Sequence, residues 1–333
     1  MVRPTIVDVA RAAGVSRATA ARVLAGATNV DPVMTSAVER EAQRLGYETN
    51  VAARALRGGR AGAVGLVVAF EELGGLSGTF FAAVMKGAAK ALSVGEVQPV
   101  LLPADQEDIE RVPRFLRSGA LDGAIVILQH EISHLVERLA DSPVPIAWVG
   151  RPHADIGPEP IIVDSDNYGG GVLAARALVE AGRRSIGIIT GPLDLEQARE
   201  RTRGWTDELA RHGIAPGPIV HGDFSLDSGT AAMARLLRRE PDLDGVFAAS
   251  DLMAAGALRA LQAAGRRVPA DVSVVGFDDV LLAATSDPPL TTIRQPLEAM
   301  GRAAAETLLA TIRGLPAERI QTLSTSLVRR ESL

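Results

Sequence analysis

The 333-residue chain has no cysteine, which excludes disulfides and thiolate metal sites. It also has no apolar run approaching the ~20 residues of a membrane span. No charged n-region followed by an apolar h-region opens the sequence, so the cytoplasm is the expected compartment. Lysine is nearly missing. Only Lys86 and Lys90 stand among 35 basic residues, which reads as composition bias and not as an arginine-specific binding device. There is no Gly-x-Ser-x-Gly elbow and no Walker loop. The glycine-rich run Gly74–Gly78 lacks the spacing and acidic partner of a dinucleotide site. What the chain does have is 47% hydrophobic residues, enough for a substantial core, and an uneven charge. The net charge is −5. Residues 1–60 nevertheless carry nine arginines against five acidic residues, a net of +4, which leaves −9 for the remainder. A basic end on an acidic body confines attraction for phosphate to that end.

The basic end has the pattern of short helices. Thr5 with Asp8 three residues on is a capping box, and Ile6, Val9, Ala10 and Ala13 share one helical stripe. Gly14 suits the left-handed turn that ends a helix, and Ser16 suits the N-cap of the next. Thr19, Ala20 and Val23 then face the first helix, and Arg17, Ala18 and Arg22 point outward. Asp31-Pro32 starts a third helix, which runs through Val38, Ala42 and Leu45 to Gly46. Two helices broken at Gly14-Val15 form a helix-turn-helix, whose second helix is the one suited to a major groove.

This segment resembles the head of the lactose/galactose repressor (LacI/GalR) family of bacterial transcription regulators. The resemblance rests on Thr5, Asp8, Val9, Ala10, Ala13, Gly14, Val15, Ser16, Thr19, Arg22, Val23 and Leu24. Ala20, Ala21 and Ala25 depart from the family's usual Val, Ser and Asn, and Ala21 removes a hydroxyl that normally touches the DNA backbone. The resemblance implies base-edge contacts from Arg17, Ala18 and Arg22, and backbone contacts from Thr5, Ser16, Thr19 and Asn29. Asn50, Ala53, Leu56 and Arg57 resemble the family's hinge helix. Eight residues alone cannot hold a helix in water. In the family two hinges pair across a dimer on DNA, and Leu56 would be a wedge in a minor-groove step.

From Ala63 on, strand-like runs alternate with amphipathic stretches, which implies parallel sheets with helices on both faces. About ten strands are many for one open sheet, so two linked doubly wound subdomains fit better. This body resembles the periplasmic-binding-protein-like core of the same family. The marks are Val163-Asp164, Tyr168–Gly171, Gly182–Ile186, Thr190–Pro192, Ala198-Arg199 with Gly204-Trp205, Ala249–Ala254, Val275–Asp279 and Pro289–Pro296. Open parallel sheets bind ligands beyond the C-terminal ends of their strands. The resemblance places an effector there, with Arg199 forking onto hydroxyls, Asp278 accepting and Phe224 stacking. Ser250, Phe80 and Arg151 complete the set. The expected organisation is a head at 1–47, a hinge at 48–61 and a core at 62–333. Within the core, one subdomain takes about 62–161 and 292–321, and the other about 162–291 and 322–333.

His130-Glu131-Ile132-Ser133-His134 matches the HExxH string of zinc hydrolases. The available helix is short and no third-ligand extension follows, so an ordinary helix N-terminus is expected and neither a metal nor a cofactor is implied. The chain is therefore expected to be a non-enzymatic, homodimeric regulator, most simply a repressor. Its partners would be a near-palindromic double-stranded operator and a small effector, a sugar or glycoside. A corepressor-dependent regulator of purine or nucleoside type would use the same parts. No leucine heptad follows the last strand-like run, Thr322–Val328, so no tail-mediated tetramer is expected.

Overall fold

A computed structural model describes residues 4–24, 27, 29–47, 60–69, 78–104, 109–127, 135–154 and 156–333. The chain divides into two units, Met1–Gly62 and Ala63–Leu333. In the first, α1 (Ile6–Ala12), α2 (Arg17–Val23) and α3 (Pro32–Leu45) enclose Val9, Ala10, Ala20, Val23, Val38 and Ala42. Each helix starts where its cap predicts. The Thr5 amide donates to the Asp8 carboxylate at 2.9 Å while the Asp8 amide returns to the Thr5 hydroxyl. Ser16 Oγ accepts from the Thr19 amide at 3.0 Å, and Asp31 caps α3 with Pro32 in its first turn. Such caps are each worth about 1 kcal/mol.

The second unit holds two six-stranded sheets. The first is built from β1 (Ala63–Ala69), β2 (Gln98–Ala104), β3 (Gly123–Ile127), β4 (Ile146–Val149) and β5 (Ile161–Ser165). It is closed at one edge by β11 (Ile320–Leu323), in the order β11-β5-β4-β3-β1-β2, and all its pairs are parallel. Between these strands run α4 (Gly78–Val94), α5 (Arg111–Arg117) and α6 (Leu135–Leu139). The second sheet comprises β6 (Ile186–Thr190), β7 (Ile219–His221), β8 (Gly245–Ala248), β9 (Ser273–Asp278), β10 (Thr291–Arg294) and β12 (Ser326–Val328), in the order β12-β10-β9-β8-β6-β7. Only the β10–β12 pair is antiparallel. Its helices are α7 (Asn167–Glu180), α8 (Glu196–Arg211), α9 (Leu226–Arg239), α10 (Asp251–Ala263) and the short α11 (Leu281–Thr285). Helix α12 (Leu297–Ile312) returns to the first sheet, where Met300, Ala304 and Leu308 join its core. Among the described residues no helix is long and apolar enough to cross a membrane.

The chain passes between the sheets three times, after Ser165, after Arg294 and after Leu323. These passages differ by a few residues from the subdomain limits expected at 161/162, 291/292 and 321/322. Strand β5 stays in the first sheet up to Ser165, because Asp166 caps α7 through the Gly169 amide. Strand β10 stays in the second up to Arg294, where the Gln295-Pro296 step ends the ladder; proline cannot donate to it. The run Thr322–Val328, read as one strand, is two short strands in different sheets.

Helices α7 and α8 are in contact at Gly171 and Gly204. A Cβ on Gly204 would overlap the Tyr168 carbonyl oxygen, and one on Gly171 would overlap that of Arg201. Glycine at both positions brings the backbones together and sets α8 against the start of α7.

Candidate functional site

In the head, Arg17, Ala18 and Arg22 are exposed along one side of α2. Arg22 is already oriented: its guanidinium donates to the Asn29 carbonyl at 3.0 Å and to Asn29 Oδ1 at 2.6 Å. Two predicted contact residues are thus held together. The Thr5, Ser16 and Thr19 hydroxyls take part in caps, with Ser16 Oγ 2.9 Å from Thr19 Oγ1. Their positions at helix N-termini aim backbone amides outward, as phosphate recognition requires. Asn50, Ala53, Leu56 and Arg57 lie outside the described residues, as does the His130–His134 string. Among the described residues no group of His, Asp and Glu is arranged to hold a metal.

In the core, a buried polar network occupies the region where the chain passes between the sheets. Arg201, in the second turn of α8, is 5% exposed. Its Nε donates to Asn167 Oδ1 at 2.9 Å and one terminal nitrogen to the Ala249 carbonyl at 2.7 Å. Its guanidinium carbon sits 3.7 Å from the centroid of the Phe277 ring and 5.9 Å from that of Phe224. Asp278 Oδ1 lies 3.9 Å from the same guanidinium and accepts from Gln295 Nε2 at 2.6 Å. Gln295 Oε1 accepts from Ser165 Oγ at 2.6 Å. Asn167 Nδ2 reaches Asp164 Oδ1 at 3.1 Å, and the Arg151 amide reaches the other Asp164 oxygen at 3.2 Å. The network thus joins the end of β9, the start of α7, the end of β10 and the β4–β5 connection.

The electrostatics follow from burial. Asp278 is pushed up to about 6, first by burial, with Arg201 and the Gln295 hydrogen bond pulling the other way. Burial also raises Asp164 and Asp251. Asp251 is held by the Thr292 hydroxyl at 2.5 Å and the Val280 amide at 3.0 Å. Burial lowers Arg201, against the attraction of Asp278, Asp164 and Asp251. Perturbed groups converging at strand ends are a mark of functional sites. Backbone strain points to the same place. Phe224, Asp278 and Asp279 have φ of 71°, 118° and 60°, conformations that cost non-glycine residues of order 1–3 kcal/mol each.

The sequence-expected residues divide. Asp278 and Phe224 face Arg201. Arg199 does not join them; its guanidinium pairs with Glu196 at 2.5 Å and donates to the Leu193 carbonyl at 2.9 Å. It also reaches His153 Nδ1, on the β4–β5 connection, at 2.6 Å. The buried arginine is Arg201, two residues on. The buried stripe of α8 through Ala198, Trp205 and Leu209 passes through 201 and not 199, and that periodicity is the signal that could have found it. Ser250 is buried and its hydroxyl caps α10, accepting from the Met253 amide at 3.2 Å. Phe80 stacks edge-on against Phe81 with centroids 5.3 Å apart, on the first-sheet side. Arg151 contributes its amide to Asp164. Asp164 and Gln295 fall within the family marks but had no site role assigned, and Asn167 lies outside the marks.

A buried guanidinium on an aromatic face, beside a carboxylate and open strand ends, suits a ligand with adjacent hydroxyls. Known proteins give the same picture. Residues 5–50 match the model of bacterial regulatory proteins of the lacI family, and residues 175–333 that of the periplasmic binding protein-like domain. The HTH-type transcriptional regulator CelR of Thermobifida fusca is 41% identical over 334 residues, spanning 99% of this chain and 98% of its own length. The ribose operon repressor of Haemophilus influenzae is 32% identical over 335 residues, with the same two coverages. Among solved structures, a complex of the transcriptional regulator CelR with cellobiose matches with a TM-score of 0.77 at 39% identity, over 99% of this chain and 100% of that one. The lac repressor dimer bound to operator and the anti-inducer ONPF matches with a TM-score of 0.85 at 27% identity, over 99% of both chains. With the head, the two sheets and the full-length relatives in agreement, this chain belongs to the lacI family of bacterial regulatory proteins, as a DNA-binding transcriptional regulator and not an enzyme.

Proposed function

We propose that the protein is a cytoplasmic, homodimeric repressor whose operator affinity falls when a sugar occupies the space between the two sheets. The observation that carries this is the Arg201–Asp278 pair set on Phe277 and facing Phe224. Paired donor and acceptor groups beside an aromatic face suit the hydroxyls and apolar face of a pyranose. A β-glucoside such as cellobiose is the first ligand to test, because the relative solved with cellobiose is similar over the whole chain. Ligand contacts on α8 and β9 would move the two sheets about their three connections. The hinge would carry that movement to the heads, which is a coupling free energy between two sites. Dimerisation is supported by the free edges of the sheets, where Leu101 of β2 and Ile219 of β7 are exposed. Unpaired apolar edges are normally covered.

Each head of the dimer would present Arg17, Ala18 and Arg22 to one half of a near-palindromic operator, with Thr5, Ser16, Thr19 and Asn29 on the backbone. Asn50, Ala53, Leu56 and Arg57 would form the paired hinge. The test is a mobility-shift titration of operator with and without cellobiose. Release at low sugar concentration is the expected result, and operator binding indifferent to every sugar tried would overturn the proposal. Tightening by a purine base would instead support the corepressor mode. Leu56→Ala should weaken operator binding and leave sugar binding intact.

A further inference from the structure

The face of the first sheet that carries Trp148 is covered unevenly. Helices α5 and α6 pack Val112, Leu116, Val136 and Leu139 onto it, and the β4–β5 connection adds Ala154 and Ile156. Between helix and connection lies a cavity of about 310 Å³. Leu139, Ile146, Trp148 and Ile156 are in its lining, and its charged residues are Glu159 and Arg319. It adjoins Ile146 and Ile161, the first residues of β4 and β5. The Arg201 network gathers at the other ends of those strands, at Arg151 and Ser165. At about 3.3 Å per residue, Ile161 and Ser165 stand roughly 13 Å apart.

The sequence sets the mouth of this cavity. Glu159 stands between Pro158 and Pro160, and proline fixes its own φ and restricts the residue before it. The Glu159 carbonyl is thereby held in place, and Arg319 Nη1 donates to it at 3.0 Å. Nη2 of the same guanidinium meets the Glu159 carboxylate at 3.1 Å. These two contacts differ in kind. The carbonyl belongs to the backbone and stays. The Glu159 side chain is 72% exposed, and an ion pair so exposed is worth little. A carboxylate arriving in the cavity can replace it, because the planar fork of arginine favours carboxylates. Arg319 then remains anchored on the carbonyl.

We infer that this cavity is a second ligand site, separate from the space between the sheets, for a small aromatic carboxylate. The ring lies among Trp148, Ile146 and Leu139, the carboxylate takes Arg319, and Glu159 competes for the same guanidinium. The volume is at the lower end of the roughly 300–1,000 Å³ of ligand pockets, which limits the occupant to a compact molecule.

The test is titration of the full-length protein with phenylacetate and its neutral isostere phenylacetamide, followed by calorimetry and tryptophan emission. The chain has two tryptophans, and Trp205 lies in the core of the second sheet. An emission change that Trp148→Phe removes therefore reports the cavity. The acid should bind at least ~10-fold tighter than the amide, as for a charge-assisted pair of hydrogen bonds. Arg319→Gln should bring the two within about 2-fold of each other, since the fork is gone. Glu159→Gln should tighten the acid about 3-fold by removing its competitor and leave the amide unchanged. Ala140→Phe, at an exposed position in the lining, should block both. Equal binding of acid and amide, a preference indifferent to Arg319→Gln, or no saturable binding of either would overturn the inference. Loss of the acid in Arg201→Lys would place it between the sheets and overturn the inference too. Thermal melts identify loss of folding in each variant. If Arg319→Gln is unstable, Glu159→Gln decides, because a gain of affinity cannot come from unfolding.

Discussion

Arg201 lies over the face of Phe277, its guanidinium carbon 3.7 Å from the ring centroid. The ring comes from β9 and the arginine from α8, so the contact fixes the orientation of a side chain that would otherwise swing freely. A cation desolvated against an aromatic face gains up to about 2 kcal/mol. Its Nε and one terminal nitrogen donate to Asn167 Oδ1 and the Ala249 carbonyl.

Arg201→Lys should therefore be far from conservative, because lysine provides neither the planar stack nor the fork. The expected loss of effector affinity is about 2–4 kcal/mol, the scale for breaking a buried charged contact. Operator binding by the free protein should be preserved. Arg199→Ala should change affinity by less than about 1 kcal/mol, since its pairing with Glu196 is partly exposed and such pairs are worth little. Calorimetry on the two variants separates the positions.

Effector binding should strengthen as pH rises through about 6, the value to which burial pushes Asp278. The ionised carboxylate accepts ligand hydroxyls and the neutral acid does so poorly, so binding should release protons between pH 5 and 7. Titration in buffers of different ionisation enthalpy would detect this, and Asp278→Asn should abolish it. Stability runs the opposite way. The folded pKa is raised above the unfolded value, so this group's contribution is fully present below about pH 4 and lost as pH rises through about 6.

Gly204→Ala should cost about 1–3 kcal/mol, the range for overpacking, because the new methyl would meet the Tyr168 carbonyl. Pushing α8 from α7 would also separate Arg201 from Asn167. A lower melting temperature should thus be accompanied by weaker effector binding. A drop in melting temperature with unchanged affinity would place the network's geometry outside the α7–α8 contact.

In the head, Ser16→Ala should destabilise α2 by about 1 kcal/mol through loss of its cap. Arg22→Ala should relax discrimination at one operator base pair by about 1–3 kcal/mol. Binding competition against operators changed at single positions distinguishes that loss from uniform weakening.

The head was legible because its signals are local. Thr5, Ser16, Gly14 and Asp31 each act within four residues, and the structure uses each as its chemistry dictates. Strand–helix alternation was legible for the same reason. Membership of a sheet was not: period-two patterning carries through Ser324 and Thr325 unbroken and says nothing of which partner awaits each half. Strand β7 has only three residues, too short for a pattern. Arg201 lies two residues beyond the arginine of the Ala198-Arg199 motif, and only the buried periodicity of α8 marks it. Gln295 has no local signature because what gives it its role lies far along the chain: Ser165 is 130 residues away.

The last two strands have a consequence for how the protein is made. β11 closes an edge of the first sheet and β12 an edge of the second, though only Ser324 and Thr325 separate them. Each sheet lacks its last strand, leaving β5 and β10 unpaired on one side, until nearly the whole core has been synthesised, so neither can finish folding while the other is being translated. A ribosome stalled just before residue 320 would hold two unfinished sheets. Such exposed edges recruit other chains, and chaperone dependence should concentrate in that late window.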